Sequence, residues 1–291
     1  MATREGHLRR PRHIRLRSAD PGRAAGAPPE RAAVSAGARA GFAALGVLYF
    51  LVGVLALRIA LNDSEGQQAD RGGVLAELSD KPFGGVLLWA LGIGLAGMAL
   101  WRLSEAVSGG GRPAGKGTGR RLLSVGSFLF YGFVSYSVLA FALGDKGSGS
   151  GSSDRQSQDV TAKALDLPGG RWLVGAVAVA LVVAGLWLAG QAVLGHYRRD
   201  LDRAAIPRRL RPCVDACGVF GGAVRGIVLA AAGGFALTAA VRYEPGQAKG
   251  VDDTLRSFAE APAGPWLLGL VALGLAAFGL HSFAHARWHR L

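Results

Sequence analysis

The residue types and spacing that metal binding requires occur at two places in this sequence. His281, His285 and His289 recur at four-residue spacing and therefore lie near one face of a helix, where two imidazoles can bind a transition metal. The surroundings are basic and contain no acid to complete a ligand set. Cys213 and Cys217 are also one helical turn apart, and two cysteines cannot form a disulfide scaffold. We predict no metal site and no cofactor.

Motifs of enzymatic chemistry are missing from the sequence. It contains no nucleophile elbow and no metalloprotease helix. Gly109-Gly110-Gly111 lacks the Lys-Ser/Thr pair and the preceding strand of a phosphate-binding loop. The sequence therefore predicts a protein that is not an enzyme.

Composition places these residues in a membrane protein. The chain has 291 residues, of which 50% are hydrophobic and 18% charged, whereas a soluble domain has about 25% charged residues. Six apolar segments have the roughly 20 residues that cross a bilayer as a helix, and none alternates as a barrel strand does. These segments are Ala40–Leu61, Phe83–Trp101, Leu122–Gly144, Trp172–Leu194, Val219–Val241 and Pro265–His285. We predict an all-α protein with six transmembrane helices.

Glycines and two arginines lie inside the predicted spans. Glycine allows neighbouring membrane helices to approach closely. The glycines predicted to pack helices include Gly46, Gly53, Gly132, Gly226 and Gly233, together with Gly92, Gly94 and Gly97. Arg58 and Arg225 lie near span ends, from which long side chains can reach the interface.

Basic residues predict the orientation of the spans. The tail through Arg39, the two loops that would share its side and the C-terminal end together contain 22 Lys and Arg residues, against nine in the other loops. The positive-inside rule then places both termini in the cytoplasm of a bacterial cell. Residues 1–38 are Arg-rich and predicted to form a disordered tail that is attracted to the anionic inner leaflet. Because the tail lacks interleaved aromatic residues, we predict no specific nucleic-acid partner.

The two-helix unit is repeated three times. Shifting the first helix pair by 86 or 180 residues aligns it without gaps on the second or third. Each copy contains an acid, any residue, proline, any residue and glycine. These motifs are Asp80–Gly84, Asp166–Gly170 and Glu260–Gly264. Proline suits the first turn of a helix, so the motif is predicted to start the second, fourth and sixth spans. Short amphipathic segments before the motifs predict brief surface helices.

The triplication and the third copy's Pro262–Leu270 segment resemble the bacterial membrane family called Domain of Unknown Function 1206. Arg225-Gly226 also matches that pattern, and the resemblance covers about residues 38–291. It implies a membrane location and a fold, and no established activity. We predict parallel tandem hairpin repeats at 39–108, 122–195 and 217–291, arranged as a pseudo-three-fold bundle. The second copy differs most, because Leu139 stands where the others have Gly53 and Gly233.

Equivalent polar residues suggest two candidate sites. Asp80, Asp166 and Glu260 form either an outer acidic ring that attracts cations or repeated favourable charges near helix N-termini. At the inner ends, the equivalent residues Glu105, Gln191 and His285 form either a polar gate or part of the interfacial belts.

Three functions fit these features. We expect a non-enzymatic structural or interaction protein of the plasma membrane, because charges are missing from the helix centres and packing residues are dense. The alternative is a channel or transporter for a small solute or cation, which the parallel repeats and the two polar sets favour. An enzyme acting on lipids at the outer face has only the outer acids in its favour. Protein partners and oligomeric state are not specified by the sequence.

Overall fold

The fold consists of six long helices and three short ones in the described part of the chain. The computed structural model describes residues 29–62, 68–108, 118–144, 153–199, 201–202 and 204–289. The long helices are α1 (Pro29–Asn62), α3 (Gly84–Ser108), α4 (Thr118–Ala142), α6 (Gly170–Val193), α7 (Arg211–Arg242) and α9 (Gly264–Trp288). The short helices are α2 (Arg71–Ser79), α5 (Ser153–Leu165) and α8 (Val251–Ala259).

Each repeat is therefore a long helix, a short helix and a second long helix. All six long helices are long and apolar enough to cross a membrane, which confirms the predicted all-α, six-span fold. The predicted brief helices are also present. We call the end of the bundle that carries α2, α5 and α8 the short-helix end, and the opposite end, where α1 begins and α9 ends, the terminal end.

The first helix begins earlier than the sequence pattern indicates. It starts at Pro29, so residues 29–38 are helical, and the predicted disordered tail was wrong for that segment. The segment is rich in alanine, the residue with the highest helix propensity, which explains the extension. Residues 1–28 of the predicted tail lie outside the described residues.

The acid–proline–glycine motif forms a tight turn between each short helix and the following long helix. Proline takes the second position of the turn, and the next residue is left-handed, with φ of 65° at Phe83, 77° at Gly169 and 62° at Ala263. The motif glycine then begins the long helix. In the first copy, a β-carbon at Gly84 would collide with the carbonyl oxygen of Leu78. The prediction that proline lies in the first helical turn was wrong, because proline precedes the helix by two residues.

The six long helices form a ring that is open at one place. Neighbours pack in the order α4, α3, α1, α9, α7 and α6, so the last helix of the chain closes on the first. The two helices of repeat 1 pack together, as do those of repeat 3. Within the described residues, α4 and α6 of repeat 2 form no comparable contact. We call this gap the α4/α6 seam; it makes the pseudo-three-fold symmetry incomplete.

Repeat 2 lacks the glycines that the other two hairpins use for close packing. A β-carbon at Gly41 would lie 2.5 Å from Cβ of Met98, and one at Gly221 would lie within 2.6 Å of the Phe278 backbone, so both hairpins need glycine there. The equivalent residue in repeat 2 is Ser127. Likewise Gly94 and Gly274, which face these contacts, are replaced by Ala180. Repeat 2 therefore lacks the facing glycines that allow a close approach in the other hairpins.

Seven of the eight glycines predicted to pack helices lie against a neighbouring helix, Gly92, Gly94 and Gly97 among them. Added β-carbons would lie 3.0 Å or less from a neighbouring helix at Gly46, Gly53, Gly226 and Gly233. Gly132 was predicted wrongly, because nothing lies within 4 Å of its position. The equivalents of Gly132 in the other repeats each face a second glycine: Gly46 faces Gly279, and Gly226 faces Gly185. The corresponding residue of α3 is Ala99, whose methyl group prevents the same close approach.

Leu139, which replaces a glycine of the other repeats, is accommodated by a glycine on the facing helix. A β-carbon at Gly92 of α3 would lie 2.5 Å from Cδ2 of Leu139. The equivalent residue in repeat 3 is Ala272, whose carbonyl oxygen lies 2.7 Å from the β-carbon position of Gly53. At the α3–α4 contact, the glycine is therefore on α3 and the larger residue is on α4, which is the reverse of the α1–α9 contact.

Candidate functional site

Polar side chains occupy three levels along the bundle, and the first level lies at the short-helix end. Here the N-terminal ends of α2, α5 and α8 meet through three buried carboxylates, Asp70, Asp154 and Asp252. Each accepts a backbone N–H from the next repeat. Ser153 donates to Asp70 Oδ2 (2.5 Å), Asp253 donates to Asp154 Oδ1 (3.1 Å) and Ala69 donates to Asp252 Oδ1 (2.7 Å). We call this closed cycle the carboxylate ring.

The carboxylate ring stabilises helix starts. Negative charge beside the N-terminus of a helix interacts favourably with its free N–H groups and dipole. Asp70 also caps its own helix, since the N–H of Gly73 donates to Oδ1 at 2.9 Å. Asp252 accepts from Nε of Arg256 at 2.9 Å, which balances one of the charges. The ring therefore joins the three repeats to one another.

Asp154 is the carboxylate whose negative charge this arrangement disfavours. Burial, with a smaller effect from the nearby charges of Asp253, Asp252 and Asp70, raises the pKa of its carboxyl to about 6. The hydrogen bond from the Asp253 backbone acts in the opposite direction. Oxygen atoms of Asp154, Asp252 and Asp253 lie within 4.8 Å of one another, a spacing that a cation can bridge.

The acids predicted to form an outer ring lie elsewhere. Asp80, Asp166 and Glu260 are exposed and follow the C-terminal ends of the short helices. A nine-residue helix is about 13 Å long, so these residues stand well away from the point where the N-terminal ends meet. Among the described residues, the structure joins none of the three to another by a hydrogen bond or ion pair. The predicted ring is replaced by Asp70, Asp154 and Asp252.

The second level is a polar cluster between the three repeats. Nε of Arg225 on α7 donates to the hydroxyl of Tyr49 on α1 at 2.9 Å, and Tyr131 on α4 is a further hydrogen-bond partner. The guanidinium carbon lies 5.3 Å from the ring centre of Tyr49 and 4.7 Å from that of Phe278. Arg225 was expected to reach the interface, and the structure instead directs it into the bundle. We call Arg225, Tyr49 and Tyr131 the Arg–Tyr cluster.

The repeat offsets explain why these residues meet. Leu45, Tyr131 and Arg225 are equivalent in the three copies, so they face the same axis. One turn further along, the equivalent residues Leu48, Val134 and Val228 are all buried in one hydrophobic cluster. Apolar side chains from every repeat thus fill the axis beside the Arg–Tyr cluster.

The third level is a row of histidines at the terminal end. Nε2 of His281 and Nε2 of His285 are 3.1 Å apart, and the rings of His285 and His289 are 5.3 Å apart between centres. Aromatic rings surround the row; Phe42 stacks on His285 at 5.2 Å. The two Nε2 atoms could ligate one ion. In the described residues, no further His, Cys, Asp or Glu completes a three-ligand group with them.

The predicted inner polar positions are placed in different surroundings. Glu105 accepts from Nη1 of Arg102 on its own helix at 3.0 Å, and Gln191 is half-buried on α6. His285 belongs to the histidine row. The structure records no contact that joins Glu105, Gln191 and His285 within the part of the chain it describes.

The sequence did not predict the Arg–Tyr cluster or the carboxylate ring, and only the cluster had a usable signal in the sequence. Arg225 and Tyr131 share a repeat position, and this register was a usable signal. The carboxylate ring had no such signal. Asp70 aligns with Gln156 and Gly250, so its three acids occupy different positions in the repeats.

Comparison with known proteins identifies the family. The model of the family described as Domain of Unknown Function (DUF1206) matches residues 40–109, 124–195 and 220–289. Three successive matches cover most of the chain. The chain belongs to the DUF1206 family. The three hairpins and their short helices are therefore a DUF1206 fold, as the resemblance implied.

A curated relative is the "Uncharacterized protein YxxB" of Bacillus subtilis (strain 168). It is 28% identical over 262 residues, which cover 87% of this chain and 92% of the relative. No solved structure matches the chain.

Proposed function

We propose that this DUF1206 protein is a non-enzymatic structural or interaction component of the bacterial plasma membrane. The observation that supports the proposal best is the filled axis. Leu48, Val134 and Val228 come from the three repeats and are buried in one cluster. The carboxylate ring at the short-helix end ties the same three repeats together. The polar groups that converge are thus engaged in holding the repeats to one another.

A flux assay tests the filled axis. The full chain in liposomes is expected to pass ions no faster than empty liposomes do, because packed apolar side chains exclude water. The variant Val134→Gly with Val228→Gly removes two of the three packed side chains and is the matched comparison, expected to leak. The proposal would be contradicted if the wild-type protein passed ions and these two substitutions changed the rate of that flux.

Complementation tests the non-enzymatic role. In a strain that lacks the gene and shows a phenotype, Asp80→Ala and Glu105→Ala are expected to restore growth as the wild type does. Neither side chain contributes to a reaction in this proposal, so either variant fails only if folding fails. Loss of function in a variant that is present in the membrane at wild-type level would show that the acid takes part in chemistry or transport.

The proposed orientation places both termini in the cytoplasm and the short-helix end outside. The excess of Lys and Arg in the tail and in the loops of the terminal end supports this orientation. A reporter active only outside the cell is expected to work when fused after Gly66, and a cytoplasmic reporter when fused after Gly111. The basic tail would then face the anionic inner leaflet. Reversed activities would contradict the orientation.

Transport of a small solute is the second candidate. Arg225 favours it, since charged residues inside membrane bundles commonly mark solute pathways. A fixed positive charge among the three repeats repels cations, so the transported solute would be anionic or neutral rather than the cation that the acidic residues suggested. The flux assay distinguishes the two candidates when it is run with anions and with cations.

A further inference from the structure

The guanidinium of Arg225 lies inside the bundle without a negative partner. Its recorded hydrogen-bond partners are the hydroxyls of Tyr49 and Tyr131, which are neutral groups. Among the described residues, the structure records no carboxylate that forms an ion pair with it. Tyr49 and Phe278 offer ring faces, which attract a cation but do not cancel its charge.

Three other arginines of the chain have carboxylate partners. Arg58 lies 3.8 Å from Glu77, Arg102 lies 3.0 Å from Glu105, and Arg256 lies 2.9 Å from Asp252. These three pairs are at the two ends of the bundle, where water also reduces the cost of a charge. Arg225, by contrast, lies within the membrane-spanning part of the bundle and has only neutral partners. A buried charge without a counter-ion is costly, and the cost is larger in a bilayer than at a surface.

A guanidinium has five N–H donors in a planar fork. The two tyrosine hydroxyls do not use them all, and the fork matches the oxygen atoms of a phosphate or carboxylate group. The tyrosine hydroxyls can themselves donate to such an oxygen. Tyr131 belongs to α4, which borders the α4/α6 seam.

We propose that the Arg–Tyr cluster binds an anion through its oxygen atoms, with Arg225 as the charged ligand and Tyr49 and Tyr131 as supporting donors. The chemical class is a phosphate or carboxylate group, carried either by a small soluble anion or by a lipid headgroup. Binding does not require transport, so this inference is independent of the proposed structural role.

Binding to the full chain tests the inference in two arms. In the first, inorganic phosphate is titrated into protein held in nanodiscs of neutral lipid. In the second, protein in the same discs is titrated with an anionic phospholipid such as phosphatidylglycerol. We expect saturable binding of one anion per chain in at least one arm, and the arm that responds identifies the source. No saturable binding in either arm would overturn the inference.

Variants assign the binding to the cluster. Arg225→Gln is expected to weaken it about tenfold or more, because charge-assisted hydrogen bonds are lost. Arg58→Gln removes an arginine that already has a carboxylate partner and is expected to leave binding unchanged. If Arg225→Gln does not fold, Arg225→Lys replaces it. Lysine retains the charge but not the fork, so binding is expected to weaken by a few fold. Unchanged affinity in either Arg225 variant would overturn the inference.

Discussion

At the scale of single residues, opposite charges are treated differently along the bundle. The carboxylates of Asp70, Asp154 and Asp252 are each matched by a backbone N–H of the neighbouring repeat. Arg225 has only neutral hydroxyls and ring faces. The carboxylate ring therefore resembles a set of helix caps, whereas the Arg–Tyr cluster has unused binding capacity.

Asp154 makes the stability of the fold depend on pH. The pKa of Asp154 is about 6 in the folded chain, against 3.8 for a free side chain. Between these two pH values, the carboxyl of Asp154 therefore holds a proton in the folded chain and has released it in the unfolded chain. The contribution of Asp154 to stability therefore increases as pH falls from about 6 to about 4, by up to about 2 to 3 kcal/mol. We expect Asp154→Asn, which mimics the protonated form, to raise Tm at neutral pH and to lose this advantage near pH 4.

The control is Asp159→Asn on the exposed face of the same helix, which removes an equal charge outside the carboxylate ring. It is expected to leave the pH dependence of Tm as in the wild type. If the difference in Tm between wild type and Asp154→Asn stays constant from neutral pH to about pH 4, the raised pKa of Asp154 is contradicted.

The turn before α9 contains a residue in a strained backbone conformation. Ala263 has φ of 62°, a region that costs an L-residue with a β-carbon roughly 1 kcal/mol and costs glycine little. We expect Ala263→Gly to raise Tm, as the glycine already at Gly169 suggests. Ala277→Gly in the middle of α9 is the control and is expected to lower Tm, because glycine destabilises a helix interior by about 1 kcal/mol. A lower Tm for Ala263→Gly would show that the turn is not strained.

Much of this residue-scale detail was beyond sequence reasoning. Repeat register identifies Arg225 and Tyr131 as neighbours in space, because equivalent positions of parallel repeats face one axis. It cannot identify the carboxylate ring, whose three acids come from different repeat positions. Their meeting depends on where α5 starts: it begins at Ser153, about one turn earlier than the alignment with α2 suggests.

At the scale of helices, close packing depends on which of two facing residues is small. Contacts α1–α9 and α6–α7 use glycine on both helices, and the α3–α4 contact places Leu139 against Gly92. The sequence predicted the helices and most packing glycines, because apolar length and glycine content are local properties. It did not predict that Gly132 lacks a partner, since this depends on Ala99 across the contact.

The exchange of small and large residues at α3–α4 predicts coupling between two substitutions. Gly92→Ala is expected to destabilise the protein by about 1 to 3 kcal/mol, since its methyl group overlaps Leu139. Adding Leu139→Ala makes room, so the double variant should be more stable than the sum of the single effects by roughly 1 kcal/mol. Chemical unfolding in detergent measures all four proteins of this cycle.

Gly132→Ala on α4 is the matched control for that cycle. No atom lies within 4 Å of its β-carbon position, so the substitution is expected to be neutral or slightly stabilising. Additive effects of Gly92→Ala and Leu139→Ala would mean that the two residues do not share this contact.

At the scale of the whole molecule, the ring of six helices is open at the α4/α6 seam. The seam separates the two helices of repeat 2 from each other, whereas the helices of the other two hairpins pack closely through Gly41 and Gly221. The sequence predicted a pseudo-three-fold bundle in which the second copy differs most from the others. Repeat 2 also lacks the glycines of the close hairpin contacts, because Ser127 and Ala180 stand at the equivalent positions.

Engineered disulfides test the seam in a background without Cys213 and Cys217. The β-carbon position of Gly94 lies 3.0 Å from Cβ of Ala44, closer than the roughly 3.5 to 4.5 Å of a disulfide, so Ala44→Cys with Gly94→Cys is expected to cross-link on oxidation once the two helices move slightly apart. The equivalent pair in repeat 2 is Phe130→Cys with Ala180→Cys, which should stay reduced. Equal cross-linking of both pairs would show that the seam is closed in the membrane.

The pairing of α1 with α9 also has a consequence for biosynthesis. A ribosome makes α1 first and α9 last, so the groove of glycines on α1 waits for its partner until translation is complete. The bond from Ala69 to Asp252 closes at the same late moment, and it completes the cycle that joins all three repeats. A nascent chain halted before the third hairpin therefore leaves the glycine face of α1 without the partner that covers it in the finished protein.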